Sequence, residues 1–175
     1  FSMVKISADI RDRIFMEKLK SFIENIEKNT KWQEKFSDIE ECSKISKQLL
    51  YIIDSCDDDK KLKLIGMAFN YLVKGEMNKD DYFFTVNMIS KSFYPYLEML
   101  LDIDESDERF PNDGTKYHYD GIAHLLNIGA LDYDGQTPML INEKTKKIES
   151  RPCIIVTLNC YGNFIRGLLS ILNES

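Results

Sequence analysis

Two short segments in the last third of the chain constrain its fold more than any other part of the sequence. They are DGIAHLLNIGAL at 120–131 and IIVTLNCYGNFI at 154–165. The first has leucine-rich helical spacing that stops at a glycine, which predicts a helix over about 116–127 followed by a strand. The second is an apolar, β-branched run that ends at Thr157 and Asn159, and either residue can cap the helix that follows.

The residues between these two segments predict a hairpin. Asp134-Gly135 is a typical turn pair, and the polar stretch 143–147 predicts an exposed tip. The expected order is therefore helix, strand, hairpin, strand and a final helix at 159–173, which is the order of a winged-helix module. We predict a small winged-helix-like α+β module over residues 112–175.

Residues 4–104 repeat apolar side chains at helical spacing and predict a bundle of four or five helices. The stripe expected to face inward on the first helix is Ile10, Ile14, Leu19, Phe22, Ile23 and Ile26. The predicted helices span 8–28, 38–56, a segment from Asp57–Asp59 to Gly75, 79–93 and 96–103, with a short turn at 32–36.

Three further expectations apply to these helices. Lys60, Lys61 and Lys63 should lie on the outer face of the third helix, Asn78 should cap the fourth, and Phe93 should point inward. The acidic stretch 102–116 has the composition of a linker. We therefore predict a mainly α fold in which the bundle and the C-terminal module pack together as one unit.

The charge balance disfavours nucleic acid and anionic lipid as partners. The chain carries 23 Lys and Arg against 29 Asp and Glu, and neither 1–111 nor 112–175 has a basic excess. The four cysteines form no C-x-x-C pair and are expected to be reduced core residues, which is typical of a cytoplasmic protein. No segment has the length and hydropathy of a membrane span. Phe1-Ser2-Met3 does not look like a native start, so we expect the natural chain to extend upstream, where a membrane segment or another domain could precede it.

The motifs of common active sites and metal sites are missing from the sequence. The acidic run 102–113 resembles a calcium loop but has Asp107 where an EF-hand needs glycine and Asp113 where it needs a bidentate glutamate. His118 and His124 are six residues apart, whereas two ligands on one helix face would be three or four apart. We therefore predict no catalytic residue, no metal site and no cofactor, and hence a protein that is not an enzyme.

Two sets of residues are candidate contact sites. The predicted helix at 116–127 and the hairpin tip would present cations and amides to nucleic acid or to a protein partner, although that helix lacks arginine. The linker would present carboxylates to a basic partner. The first set is Lys116, His118, Asn127, Lys144, Lys146, Lys147 and Arg151, and the second is Asp102, Asp104, Glu105, Asp107 and Glu108.

Two longer patterns resemble a known kind of protein. HLLNIGALDYDG and IIVTLNCYGNFIRGLL are similar to the close of many bacterial winged-helix proteins, and IRDRIFMEKLKSFIENI with LLYIIDSCDDDKKLKLIGMAFNYLVKGEMNKDDYF resembles uncharacterised bacterial and prophage-type proteins. The resemblance implies a helical region joined to a winged-helix-like module and no known active site. We expect a non-enzymatic adaptor or sensor region that acts by protein contact, with a winged-helix transcriptional regulator as the alternative.

Overall fold

The computed structural model describes residues 2–26, 39–103, 108–111, 116–136, 140–141, 148–150 and 153–174. Most of these residues are helical, so the prediction of a mainly helical fold is confirmed. The chain divides into two compact units, Phe1–Lys91 and Ser92–Ser175.

The first unit is built from amphipathic helices. Helix α2 buries Ile45, Leu49, Ile52 and Ile53, which is the stripe that its sequence predicts. The predicted turn at 32–36 lies outside the described residues. The helices are α1 (Ser2–Glu24), α2 (Ile39–Ser55), α3 (Asp59–Lys74) and α4 (Lys79–Lys91).

Local capping rules explain where α3 and α4 begin and end. The side chain of Asp58 accepts a hydrogen bond from the Lys60 amide and starts α3. Gly75 ends that helix in the left-handed region at φ 82°, which a glycine adopts at little cost. The side chain of Asn78 accepts from the Asp81 amide and starts α4, as predicted.

The core of the first unit contains a row of aromatic rings. Phe22 of α1 packs edge-on against Phe69 of α3, Phe69 packs against Tyr82 of α4, and both pairs have ring centroids 5.8 Å apart. A Cβ at Gly66 would lie 2.7 Å from the Phe22 carbonyl oxygen, so the glycine allows α1 and α3 to approach closely. Dense packing of this kind makes these positions sensitive to changes in volume.

Two predictions for the first unit are wrong. Ile10, Ile14 and Ile23 belong to the predicted inward stripe of α1 but are about half exposed, at 53%, 50% and 54%. Lys61 was predicted on the outer face of α3 but is only 1% exposed. Its ammonium reaches Asp57, four residues earlier, and donates to the Ser90 carbonyl at 3.1 Å, so the buried charge is paired.

The second unit combines helices with a three-stranded antiparallel sheet in the order β1-β5-β2. The unit begins at Ser92, earlier than the predicted linker, because the 92–103 segment contacts helices of this unit. Its elements are α5 (Tyr94–Glu98), a 3-10 helix (Met99–Asp102), β1 (Glu108–Pro111), α6 (Lys116–Ile128), β2 (Leu131–Gln136), β3 (Leu140–Ile141), β4 (Ile148–Ser150), β5 (Cys153–Leu158) and α7 (Cys160–Glu174).

The pair Asp134-Gly135 lies inside a strand, so the predicted hairpin turn at this position is wrong. In the register with β5, Tyr133 is opposite Val156 and Gly135 is opposite Ile155, which leaves Asp134 as the extra residue of a bulge. Gly135 has φ 147°, a conformation that suits glycine. The chain therefore continues as a strand to Gln136.

The two signature segments meet at the start of α7. The Asn159 side chain accepts hydrogen bonds from the amides of Tyr161 and Gly162, at 3.1 and 3.0 Å, and caps the helix. The same side chain donates to the Gly129 carbonyl at 2.7 Å. Asn159 thus connects the first turn of α7 to the end of α6, where Gly129 has φ 81°.

Candidate interaction surface

The predicted basic contact residues are only partly covered by the structure. Lys116 and His118 lie in the first turns of α6, and Asn127 lies in its last turn and is exposed. The side chains of Lys116 and His118 lie outside the described part. So do the four cations of the predicted hairpin tip, Lys144, Lys146, Lys147 and Arg151.

The predicted acidic surface is also partly covered. Asp102 ends the 3-10 helix and is exposed, and Glu108 begins β1 opposite Val156. Asp104, Glu105 and Asp107 lie outside the described residues, as does the side chain of Glu108.

The second unit is acidic, with 13 Asp and Glu against 7 Lys and Arg over 92–175. Six of these cations lie where side chains are not described, so Arg166 is the one lysine or arginine among the described side chains at 92–103, 120–136 and 154–174. Its guanidinium donates to the Ile103 carbonyl at 2.7 Å and so connects α7 to the end of the 3-10 helix. The carboxylates in the same ranges are Glu98, Asp102, Asp120, Asp132, Asp134 and Glu174.

One side of α6 is packed against α5 and the 3-10 helix. A Cβ at Gly121 would overlap the sulfur of Met99 and would lie 3.2 Å from Cδ1 of Tyr96. His124, nearly one turn further along α6, is in ring contact with Tyr96 at 5.4 Å. Gly121 therefore permits close packing, and this side of α6 is not available to enter a DNA groove.

The environment of His124 disfavours its charged form. The Nε2 atom is buried and has no hydrogen-bond partner among the described residues. Burial lowers the pKa of His124 because the imidazolium loses hydration. The side chain as a whole is half-buried.

Three aromatic rings follow one another along α5 and α6. Phe93, at the start of α5, is 56% exposed and packs edge-on against Tyr96 with ring centroids 5.3 Å apart. Tyr96 then contacts His124. We call Phe93, Tyr96 and His124 the aromatic row. The prediction that Phe93 points inward is wrong, because the chain leaves α4 at Lys91 and Phe93 becomes the residue that precedes α5.

The first unit contains a cavity of about 220 Å³ where α1 passes the start of α3. Its lining includes Ile14, Lys18, Cys56 and the three aspartates 57–59. Desolvation raises the pKa of the Cys56 thiol to about 11, so the nucleophilic thiolate is scarce at neutral pH. The Asp57 and Asp59 carboxylates each pair with a lysine four residues later on α3. The wall thus carries neither an activated nucleophile nor unpaired charge from these two aspartates.

The described cysteines are free thiols in three different environments. Cys56 is buried, Cys42 is half-buried and Cys160 is exposed. The expectation of a core position is therefore wrong for Cys160. Within the described residues, no group of three or more histidine, cysteine, aspartate or glutamate side chains is placed to hold a metal ion. None of the helices in that part of the chain has both the length and the apolar character needed to cross a membrane.

Comparison with protein-family models, with curated proteins and with solved structures found no match to this chain. The function of this protein must therefore be inferred from its own residues. Sequence reasoning missed the exposure of Phe93 and the pairing of Lys61. A signal was present for the first, since Pro95 two residues later favours a new helix start and thus a change of direction near Phe93.

Proposed function

We propose that this chain is a non-enzymatic protein-interaction region, an adaptor or sensor part of a bacterial or phage-related protein, and that its second unit binds a basic partner. The observation that carries the proposal is the acidic excess of that unit, with 13 Asp and Glu against 7 Lys and Arg over 92–175, and with Asp102 exposed and Asp120 half-exposed. Arg166 donates to the Ile103 carbonyl of the same unit. Complementary charge of this kind steers a partner and selects against wrong ones.

The free thiols and the exposed aromatic side chains also support this proposal. The free thiols of Cys42, Cys56 and Cys160 are compatible with the cytoplasmic location that we propose. Phe93 is 56% exposed, and exposed aromatic side chains are enriched in protein interfaces. The acidic surface, rather than an internal cavity, is therefore the functional feature of this proposal.

The test is cross-linking in cells that produce the protein, with a photoreactive residue in place of Asp102. We expect a discrete cross-linked product that is lost when Glu98→Gln and Asp120→Asn are added to this protein. The matched control adds Glu76→Gln and Asp80→Asn instead, which removes the same number of carboxylates at exposed positions of the first unit. Equal loss in both variants, or no discrete product, would argue against a specific acidic surface.

A winged-helix regulator of transcription is the second candidate, and the strand order favours it. Helix α6 lies between β1 and β2 in the chain, β5 pairs with both strands, and β3 and β4 pair with each other between β2 and β5. In a winged-helix module, a helix leads into a small antiparallel sheet. The last two strands of that sheet in the chain are joined by an extended hairpin. Against this candidate stand the acidic surface and the packing of His124 and Gly121 on α5 and the 3-10 helix.

Titration with random-sequence duplex DNA at low and moderate salt separates the two candidates. A regulator would bind with an affinity that falls steeply as salt rises, because phosphate contacts release counterions. Its binding would also weaken when Lys144, Lys146 and Lys147 are changed to alanine. Lack of binding at low salt would eliminate the regulator and leave the protein-interaction proposal.

A further inference from the structure

The aromatic row leads from solvent toward the core of the second unit. The exposed ring of Phe93 lies nearly perpendicular to that of Tyr96, with an interplanar angle of 83°. Tyr96 is half-buried and is supported from behind by His124, whose ring is tilted 46° to it. The two inner rings are therefore held in place by α5 and α6, and the outer ring is presented to solvent.

Carboxylates outnumber cations in the segments that carry the aromatic row, where Lys91 is two residues before Phe93 and Lys116 is four residues before Asp120. From Ser92 to Ile103 the chain contains Glu98 and Asp102 and no lysine or arginine. Asp120 precedes His124 by four residues on α6 and is thus its neighbour on the same side of the helix. Asp120 also adjoins Gly121, which packs against Tyr96. A half-exposed carboxylate therefore lies one helical turn from His124, at the inner end of the row.

We propose that the aromatic row, with Asp120 beside it, receives an arginine side chain of the protein partner. This inference rests on the proposed function and names the chemical group that the acidic surface recognises. A guanidinium can stack on a ring while its N–H groups remain free to bond a carboxylate, because it is planar and carries donors along its edge. A lysine ammonium is a compact, strongly hydrated charge and gains less from such a surface.

The neutral state of His124 is compatible with a bound cation. Its pKa is lowered by burial, so the imidazole carries no positive charge at neutral pH that would repel a guanidinium nearby. Its contact with Tyr96 then acts only as support for the ring that would lie under the arginine. His124 is therefore a positioning residue in this site, and Phe93, Tyr96 and Asp120 are the residues that would touch the partner.

The probe for this site is a blocked Gly-Arg-Gly-Arg-Gly peptide, added to the full chain and followed through the aromatic ring signals in NMR spectra. We expect saturable shifts of the Phe93 and Tyr96 signals. The same peptide with citrulline, which is similar in shape and neutral, should cause none, and the lysine peptide should bind more weakly. Phe93→Leu should weaken the arginine peptide about fivefold, which corresponds to about 1 kcal/mol for one exposed cation–π contact.

Two further variants control this experiment. Tyr133→Leu removes another exposed aromatic ring that has carboxylates beside it, on β2, and should leave the affinity unchanged. Asp120→Asn should weaken the arginine peptide while the ring-to-ring signals of Tyr96 and His124 stay in place, so that loss of affinity is separated from loss of folding.

Equal weakening by Phe93→Leu and Tyr133→Leu, or equal binding of the citrulline peptide, would overturn the proposed arginine site. The arginine site could fail this test while the carboxylate variants still abolish cross-linking to the natural partner. In that case the proposal of an acidic interaction surface is retained and only the arginine site is rejected. If the cross-linking is instead insensitive to those carboxylates, the proposed function itself is wrong.

Discussion

Replacement of Gly162 by alanine is expected to destabilise the second unit, although alanine is normally the better helix former. Gly162 is in the first turn of α7 and is buried. A Cβ there would overlap the carbonyl oxygen of Ala130 and lie 3.0 Å from Cδ2 of Leu158. The leucine side chain can rotate away, but the Ala130 carbonyl belongs to the backbone turn that Asn159 holds through Gly129.

The size of this destabilisation depends on the groups that must move to make room for the added methyl group. Overpacking of this kind costs about 1–3 kcal/mol. A shift of α7 that weakens the cap by Asn159 adds about 1 kcal/mol. The gain in helix propensity from glycine to alanine is at most about 1 kcal/mol. We therefore expect the free energy of unfolding of the second unit to fall by about 1–3 kcal/mol.

The matched control lies in the same helix. Gly167 is exposed, and no atom lies within 4 Å of the position that an alanine methyl group would take there, so Gly167→Ala should stabilise α7 by about 0.5–1 kcal/mol. Hydrogen exchange of the α7 and β5 amides reports on this unit separately from the first. Gly162→Ala should speed the exchange of the slowest of these amides by about 5- to 150-fold, and Gly167→Ala should slow it. Protection that rises in both variants would refute the close contact between α7 and the Ala130 turn.

Three other predictions concern buried groups. The hydroxyl of Tyr82 is buried with no hydrogen-bond partner among the described residues, so Tyr82→Phe should raise the free energy of unfolding of the first unit by about 1 kcal/mol in a urea titration followed by circular dichroism, and a loss of stability would contradict this. Because the folded state lowers the pKa of His124, its unfolded form takes up a proton first as the pH falls below about 6.5, so stability should decline from there toward pH 5. That decline should be smaller in His124→Asn, and an identical pH profile in both proteins would disprove the desolvated imidazole. A maleimide should label exposed Cys160 first and Cys56 last, since Cys56 is buried and its pKa is about 11, and peptide mass spectrometry that finds Cys56 labelled as fast as Cys160 would contradict its burial.

Local sequence rules predicted the helix ends correctly where a single residue determines whether a helix begins or ends. Gly75, Asn78 and Asn159 end or begin helices as their sequence context predicts, because a left-handed turn or a side-chain acceptor satisfies backbone groups that the helix leaves open. The helical period of Ile45, Leu49 and Ile52 likewise indicates one apolar face of α2, and the structure buries that face.

Tertiary packing decided the positions where prediction was wrong. Whether Lys61 is buried depends on the Ser90 carbonyl, which is 29 residues away in the chain, and no local pattern encodes that contact. The spacing of Ile10 and Ile14 predicts one face of α1 correctly as apolar, but it does not say whether another element covers that face. The aromatic row is likewise formed by residues of α5 and α6 that are 28 positions apart, so the candidate site became visible only in three dimensions.

The hydrogen bond from Asn159 to the Gly129 carbonyl has a consequence for engineering this protein. It joins the residue pair that flanks β2 and β5 and thereby adds to the antiparallel pairing of these two strands, which fixes both ends of the segment between them. Lengthening a loop is inexpensive when its ends are already fixed, at about 0.6 kcal/mol for each doubling. We therefore expect that a reporter peptide or a foreign recognition loop inserted between Gln136 and Cys153 would leave the rest of the second unit folded.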